Sequence, residues 1–262
     1  MLLSKIMKSA IIAVSLAATI LPATAYSKAN FVIWPIYPVI ESDEKAVAVW
    51  LENTGDTPAI VQVRTFKWTQ QNFKEQYQMQ NEVIASPPVV RINAGQKQMI
   101  RLTKSFQPIA ATEQAYRLLI DELPVDPDQK NTGPQVSFQM RYSIPLFVYG
   151  TGIGSGLTEA SKKQNDKNPL AKPILSWQIT HSGMEEVLEI KNSGLKHTRI
   201  SEVKVGDYAA QLQAKNNGLG YLLANSSMQF GLSAELKKAL HNNPILYSVN
   251  NKNQMLEIKK QP

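Results

Sequence analysis

The chain has 262 residues, a formal net charge of +7 and no cysteine. Its length suffices for one large or two moderate domains, and without cysteine a hydrophobic core must stabilise them, not disulfides. The basic residues are dispersed, whereas a nucleic-acid-binding surface needs a concentrated basic patch, so we expect no nucleic-acid partner.

Residues 1–25 have the composition of a secretory signal peptide. Two lysines precede an apolar, acid-free run at 9–21, and a small-residue triplet ends at Ala25. This order predicts cleavage before Tyr26, with cleavage after Ala29 as the alternative. The apolar run is shorter than the ~20 residues that span a membrane, which disfavours an uncleaved anchor. We therefore expect an exported protein that is not a membrane protein.

Residues 26–149 are predicted to form an antiparallel β-sandwich. Short β-branched or alternating segments are separated by turn signals, and hardly any segment has the 3.6-residue period of a helix. The dense turn signal at 53–58 is typical of a hairpin between its two neighbours, and the polar stretch 70–85 fits either a loop or a short strand. The predicted strands are 30–40, which two prolines interrupt, 46–52, 59–68, 89–92, 98–103, 114–123 and 135–149.

The last of these strands is the longest and has one apolar face. Apolar residues occupy every second position and polar residues fill the gaps as far as Pro145, which is the period of a strand. Typical strands have only ~5–6 residues. Either a second sheet of the same protein covers this apolar row, or part of it is kept for a partner that lacks a strand of its own. The row consists of Val136, Phe138, Met140, Tyr142 and Ile144.

The remaining sequence predicts a linker and a second domain. Residues 150–171 are rich in Gly, Lys and Asn, which is typical of a flexible linker. Residues 172–262 are again β-rich, and Asn-Ser-Gly at 192–194 echoes Asn-Thr-Gly at 53–55 after a strand, which weakly supports a repeat of the architecture. The fold class is therefore all-β. The predicted strands are 174–180, 186–192, 199–205, 220–223, 227–230, 245–249 and 255–259, with one short helix at 233–240.

No catalytic or metal-binding constellation is evident. The three histidines are far apart in sequence, whereas zinc needs convergent ligands, so we interpret them, His197 included, as surface residues. The glycine-rich run at 150–156 lacks the spacing and the following helix of a dinucleotide-binding motif. Asp121 and Glu122 are adjacent in a strand and would point to opposite faces. We expect no enzyme activity, no cofactor and no metal.

Four segments of the first domain carry a family resemblance. They are Pro-Pro-Val-Val-Arg-Ile at 87–92, Ala-Gly-Gln-Lys-Gln-Met-Ile-Arg-Leu at 94–102, Tyr-Arg-Leu-Leu-Ile-Asp-Glu-Leu-Pro at 116–124 and Ile-Pro-Leu-Phe-Val-Tyr at 144–149. In this order, after a signal peptide, they resemble the periplasmic pilus chaperones of the chaperone–usher pathway. The resemblance implies two immunoglobulin-like domains at an angle, a periplasmic location and no enzyme activity. It also implies that the last strand of the first domain is lent to a pilus subunit, which is delivered to an outer-membrane usher.

The sequence departs from most members of this family at one point. The resemblance implies that an Arg in the first strand and a Lys near the end of the lending strand bind the subunit's C-terminal carboxylate. Here those positions hold Trp34 and Pro145, and neither side chain can bind a carboxylate. The chain therefore looks more like the divergent archaic or alternative branch, and its anchor must come from elsewhere.

Arg117 is the predicted replacement. If the last two strands of the domain are antiparallel neighbours, Arg117 lies opposite about Tyr142, toward the linker, and a guanidinium can bind a carboxylate bidentately. A one-residue shift in register would turn its side chain to the other face. Arg91 and Arg141 are the next candidates, and the alternative is that Arg117 and Arg91 are ordinary surface charges.

Two functional hypotheses follow from the sequence. One is a chaperone that binds, folds and caps pilus subunits by donor-strand complementation. The alternative is a secreted two-domain adhesin or carbohydrate-binding protein, because a fold does not determine a function. Such a protein would present aromatic platforms in loops, whereas the aromatic residues here lie mainly within strand patterns. The sequence therefore favours the chaperone.

Overall fold

The computed structural model describes residues 30–124, 139–215, 220–249 and 255–261. The predicted signal peptide, and Val136 and Phe138 of the apolar row, lie outside these ranges. Within them, no helix is long and apolar enough to cross a membrane. The described residues form two successive β-sandwich units joined by a short helical segment.

The strands up to residue 149 form two facing sheets. They are β1 (Phe31–Trp34), β2 (Val39–Ile40), β3 (Ala46–Asn53), β4 (Ala59–Gln71), β5 (Lys74–Met79), β6 (Val83–Ser86), β7 (Val89–Ile92), β8 (Lys97–Lys104), β9 (Glu113–Leu123) and β10 (Arg141–Tyr149). One sheet has the order β1-β3-β8-β6, and the other has the order β2-β10-β9-β4-β5, with β7 also paired to β4. The polar stretch that was compatible with loop or strand thus forms β5 and β6.

The core of this first unit lies between the two sheets. The central even-numbered residues of β9 and β10, such as Leu118 and Leu146, are buried in it. Since side chains alternate along a strand, the odd-numbered residues of both strands point away from this core. That outer face carries the residues considered below.

The predicted hairpin between the second and third strand segments is wrong. β3 pairs with β1 and β8, whereas β4 pairs with β5, β7 and β9, so the turn at 53–58 carries the chain from one sheet to the other. Asn53 is buried there, and its Nδ2 donates to the carbonyls of Thr57 at 2.8 Å and Ile92 at 3.0 Å. The turn composition alone does not distinguish a hairpin from such a corner.

The second unit is also a β-structure with its own core. Its strands are β11 (Leu175–Ser182), β12 (Glu185–Asn192), β13 (Thr198–Arg199), β14 (Glu202–Val205), β15 (Tyr208–Gln211), β16 (Tyr221–Leu222), β17 (Ser226–Gly231), β18 (Leu246–Val249) and β19 (Met255–Lys260). The main sheet has the order β15-β14-β18-β19-β11-β12-β17, and β13 pairs with β16. Asn192 repeats the role of Asn53, because its Nδ2 donates to the carbonyls of Lys196 at 2.7 Å and Leu223 at 3.1 Å.

Two helices accompany these strands. The predicted helix near 233–240 is present as Ala234–Asn242, here α2, and a helix that the sequence did not suggest, α1 (Glu159–Asp166), lies in the segment between the units. Thr158 caps α1 by accepting from the backbone N–H of Ser161. Ile153 is fully buried. The predicted flexible linker is therefore an ordered segment, because short-range caps and the buried apolar residues Ile153 and Ala171 outweigh its polar composition.

Candidate functional site

Strand β10 has one edge that is largely open. Its first edge pairs with β9 along the whole strand, from Arg141 opposite Asp121 to Tyr149 opposite Glu113. Its second edge pairs with β2 only at Phe147 and Val148. In the described part of the chain, no strand covers this second edge at residues 141–146. Unpaired backbone groups on an edge are a template for a strand from another protein.

The register of β9 and β10 differs from the predicted one. Arg117 lies opposite Pro145, and Tyr142 lies opposite Ile120, because the connection between the two strands uses more residues than the simple count assumed. The predicted and observed registers differ by an odd number of residues, so the side chain of Arg117 lies on the face opposite to the predicted one. Arg117 therefore lies on the outer face, opposite to the apolar row of β10, and directly beside the position where the family resemblance implies a lysine.

The apolar row divides into a buried and an exposed part. Ile144 is only 6 % exposed and belongs to the core of its own unit, so the structure does not offer it to a partner, contrary to the prediction. Tyr142 is half-buried, and its ring meets Phe31 edge-on at a centroid distance of 6.4 Å. Met140 is 45 % exposed. The open part of the row thus begins at the end of β10 that is farthest from the second unit.

Arg117 is buried between two aromatic rings. Its side chain is 2 % exposed, and its guanidinium carbon lies 3.8 Å from the ring centroid of Trp68 and 5.1 Å from that of Tyr221. Trp68 belongs to β4, whereas Tyr221 belongs to β16 of the second unit. Both rings are within the distance at which a cation is attracted to an aromatic face. The site therefore lies where the two units meet.

The hydrogen-bond donors of this site lack acceptors. Within the described residues, Nε, Nη1 and Nη2 of Arg117 and Nε1 of Trp68 are all buried without a hydrogen-bond partner. The hydroxyl of Tyr77 donates to Glu75 instead. Burial and then Glu75 raise the pKa of Tyr77 to about 12, against the charge of the nearby Arg117 and its interaction with the Tyr77 hydroxyl. A buried charge without a partner costs several kcal/mol, so this arrangement favours binding an anion.

Arg141 and Arg91 do not share this site. Arg141 donates from Nε to Asp121, which also accepts from Arg64 Nη2 at 2.6 Å, so Arg141 already has a carboxylate partner. Arg91 is exposed on β7 opposite Ile60 of β4. Arg117 pairs with the same strand six residues further along, at Phe66, which places Arg91 roughly 20 Å away along β4. Of the three predicted anchors, the structure therefore brings only Arg117 into the site.

Hydrogen bonds between the units hold Tyr221 above Arg117. The side chain of Gln70 donates from Nε2 to the carbonyl of Tyr221 at 2.7 Å and accepts from the backbone N–H of Leu223 at 2.9 Å. Both bonds cross from β4 to the neighbourhood of β16. The backbone that carries Tyr221 is thus tied directly to the strand that carries Trp68.

His197 is part of this contact between the units and is not the surface residue that the sequence suggested. Its backbone N–H donates to Glu113 Oε1 at 2.7 Å, and its Nδ1 lies 2.9 Å from Glu113 Oε2. Its ring stacks on Phe147 with centroids 3.5 Å apart. It shares no ligand cluster, since none of the described residues form a group of His, Cys, Asp and Glu that could hold a metal ion.

The sequence did not indicate the two aromatic residues that cover Arg117. Trp68 and Tyr221 both lie in predicted strands, and the sequence assigns neither of them a function. One signal for Trp68 exists: it shares the outer face of β4 with Phe66 and Arg64, which is an unusual place for large aromatic residues on a two-layer sandwich. No comparable signal exists for Tyr221, because its position depends on how the two units pack.

Comparison with known proteins gives consistent matches. Residues 34–153 match a family profile described as "Pili and flagellar-assembly chaperone, PapD N-terminal domain". The chain is also similar to the probable fimbrial chaperone YadV of Escherichia coli (strain K12), with 31 % identity over 180 residues, covering 66 % of this chain and 67 % of YadV.

Solved structures extend the similarity to the second unit. A chain in the crystal structure of the CsuC–CsuE chaperone–tip adhesion subunit pre-assembly complex, from archaic chaperone-usher Csu pili of Acinetobacter baumannii, is 46 % identical. The match has a TM-score of 0.73 and covers 89 % of this chain and all of that one. A chain in the structure of the Salmonella enterica SafA pilin with the SafB chaperone matches with a TM-score of 0.56 over 89 % of this chain and 97 % of that one, at 12 % identity, which shows the fold alone.

Proposed function

The chain belongs to the family of periplasmic pilus-assembly chaperones, and from this premise we propose that it captures pilus subunits with strand β10 and binds their C-terminal carboxylate at Arg117. The observation that carries this proposal is the set of four buried, unpartnered donors on Arg117 and Trp68, at the inner end of an open strand edge.

The strand supplies the first part of the binding site. A subunit that lacks its last strand exposes a hydrophobic groove and an unpaired sheet edge, and both promote aggregation. The open edge at 141–146 would pair with the subunit's backbone, while Met140, with Val136 and Phe138 further along the row, would fill the groove. Each large apolar side chain buried in this way contributes ~1.5–3 kcal/mol. Tyr142, which contacts Phe31, would mark the inner limit of the contact.

Arg117 supplies the second part. It lies opposite Pro145, where the open edge of β10 ends against β2. A subunit strand that follows this edge inward would bring its C-terminus to the same place. A carboxylate there would satisfy the guanidinium donors bidentately and fix the register of the bound strand.

Delivery to an outer-membrane usher is the further part of the proposal. The CsuC–CsuE structure is described as a pre-assembly complex of an archaic chaperone-usher system, and this chain is 46 % identical to a chain in it. The signal peptide predicted at 1–25 would place the protein in the periplasm, between the site of subunit export and the outer membrane.

The test is capture of a subunit in the periplasm by chaperone variants. Arg117→Ala should lose capture, because removal of one partner of a desolvated charge pair costs ~2–5 kcal/mol. Arg91→Ala is the matched control, since Arg91 is exposed and distant from the site, and it should retain capture. Circular dichroism would establish that both variants are folded. Equal capture by Arg117→Ala and the parent would show that the carboxylate is bound elsewhere.

A further inference from the structure

The cover of Arg117 comes from the second unit. The ring of Tyr221 lies 5.1 Å from the guanidinium carbon and packs edge-on against Trp68 at a centroid distance of 5.4 Å. Tyr221 is only 4 % exposed, so it seals the space above the guanidinium. In this arrangement a carboxylate from solvent cannot reach the donors of Arg117.

The ring of Tyr221 has neighbours other than Arg117 and Trp68. Burial raises the pKa of Tyr221, Tyr37 adds to the rise, and the charges of Arg117 and Arg199 oppose it. Tyr37 is itself exposed, and the guanidinium carbon of Arg199 lies 5.8 Å from the centroid of the Tyr221 ring. Among these neighbours, Tyr37 is one whose place water can take.

We propose that Tyr221 is a cover on the carboxylate site, which moves off Arg117 when a subunit arrives, so that the second unit controls access to the anchor. The inference rests on the proposed function, in which Arg117 binds the subunit's C-terminal carboxylate. It assigns to the second unit a part in capture that the open strand of the first unit does not explain.

The exchange is favourable because of the chemistry on each side. In the free chaperone the guanidinium has two aromatic faces and no acceptor among the described residues, which stabilises the charge less than a hydrogen-bonded carboxylate does. Replacing the ring of Tyr221 by a carboxylate therefore exchanges a weak partner for a strong one. Trp68 keeps its place on the other face, so the guanidinium remains oriented.

The first experiment measures access to Arg117 in the free protein. Phenylglyoxal modifies accessible arginines, and peptide mass spectrometry gives the rate at each site. Arg117 should react much more slowly than Arg91, which is exposed. Tyr221→Ala should raise the rate at Arg117 several-fold, while Tyr221→Phe, which keeps the ring, and Tyr247→Ala, on β18 of the same unit, should not.

The outcomes of this experiment are decisive. An unchanged rate at Arg117 in folded Tyr221→Ala would overturn the proposal, because the ring would then not be the barrier. If Tyr221→Ala does not fold, Tyr221→Leu provides the same comparison with less loss of buried volume, and an unchanged rate in that variant is equally contradictory.

The second experiment separates this inference from the proposed function. Stopped-flow mixing of the chaperone with a denatured subunit gives the rate of capture, and Tyr221→Ala should capture faster than both the parent and Tyr247→Ala. Equal rates would overturn the cover, even if Arg117→Ala abolishes capture. Undiminished capture by Arg117→Ala would refute the anchor instead, while the labelling result would still report whether Tyr221 covers Arg117.

Discussion

Two charged side chains on one face of β9 have opposite environments. Asp121 accepts from Arg64 and Arg141, so its carboxylate is paired on both oxygens. Arg117 lies four residues before Asp121 on the same strand. It is more deeply buried and has no acceptor in the described part of the chain. Both lie on the outer face, directly opposite residues of β10. The strand thus carries one completed ion pair and one half of an ion pair.

The two positions differ in what their charges contribute to stability and to ligand binding. A buried charge with its partners in place is compatible with a stable fold, whereas a buried charge without partners lowers stability. A buried charge without partners does not stabilise the free protein, but it increases the affinity for a ligand that supplies the opposite charge. The Asp121 end of the strand therefore belongs to the architecture, and the Arg117 end belongs to the proposed binding site.

The largest expected effect comes from replacing Arg117 by an uncharged side chain of similar length. Arg117→Met should weaken subunit binding by ~2–5 kcal/mol, yet the free chaperone should be as stable as the parent, or more stable by up to ~1–4 kcal/mol, because an unpartnered buried charge is removed. Urea denaturation of the free protein and pulldown of the subunit measure the two effects. A large loss of stability would mean that Arg117 has an undetected structural partner.

The next effect concerns the apolar row of β10, where Met140 near Asp121 is exposed and Ile144 near Arg117 is buried. Met140→Glu should leave the fold intact and weaken capture by about 1.5–3 kcal/mol, the contribution of one buried apolar side chain. Ile144→Glu should instead destabilise the first unit, because it places a charge in the core. Circular dichroism with a subunit pulldown distinguishes them, and unimpaired capture by Met140→Glu would remove that residue from the contact.

A smaller effect is expected at the completed ion pair. Asp121→Ala should lower the free energy of unfolding by only about 1–2 kcal/mol, because its partners Arg64 and Arg141 are largely exposed and can be solvated. Subunit capture should be retained, in contrast to Arg117→Met. Chemical denaturation and pulldown test this pair of results, and a loss of capture at full stability would extend the binding site to this end of the strand.

The same ion pair predicts a dependence on pH. Burial tends to raise the pKa of Asp121, but hydrogen bonds from Arg141 and Arg64 outweigh it and lower the pKa below its usual value. The stability that the pair contributes is therefore complete above the unfolded-state pKa of about 3.9 and is lost as the pH falls through the lower folded-state value. The parent should lose more stability than Asp121→Asn between pH 6 and about pH 3 in urea titrations. Parallel losses would contradict the assignment.

The smallest effect concerns the bonds that tie Tyr221 to β4. Gln70→Ala removes two hydrogen bonds to the backbone near β16, and we expect a loss of about 0.5–1.5 kcal/mol in stability for each, with the smallest effect of the series on subunit capture. Phenylglyoxal modification of Arg117 should become modestly faster, but less so than in Tyr221→Ala, since the ring remains. A rate as slow as that of the parent would indicate that the apolar contacts alone position Tyr221.

The sequence carried much of the fold and a specific part of the site. Alternation in the last strand, together with four family-like segments, gave the all-β class and the candidate strand, and Arg117 was selected as the replacement for the missing charges at Trp34 and Pro145. The predicted register between β9 and β10 is wrong. The register depends on how many residues form the connection between the two strands, and a count along the sequence does not show this number. The error reversed the face on which Arg117 lies.

The sequence by itself determined which strand alternates and which basic residues are candidates, because a period of two and the chemistry of a guanidinium are local properties. Only the tertiary structure decided that Ile144 is buried in its own core, that Arg141 is paired with Asp121, and that Arg117, beneath Tyr221, has no acceptor in the part of the chain that the structure describes. Each of these depends on a contact between segments far apart in the chain. Burial and pairing are properties of such contacts, and no local pattern encodes them.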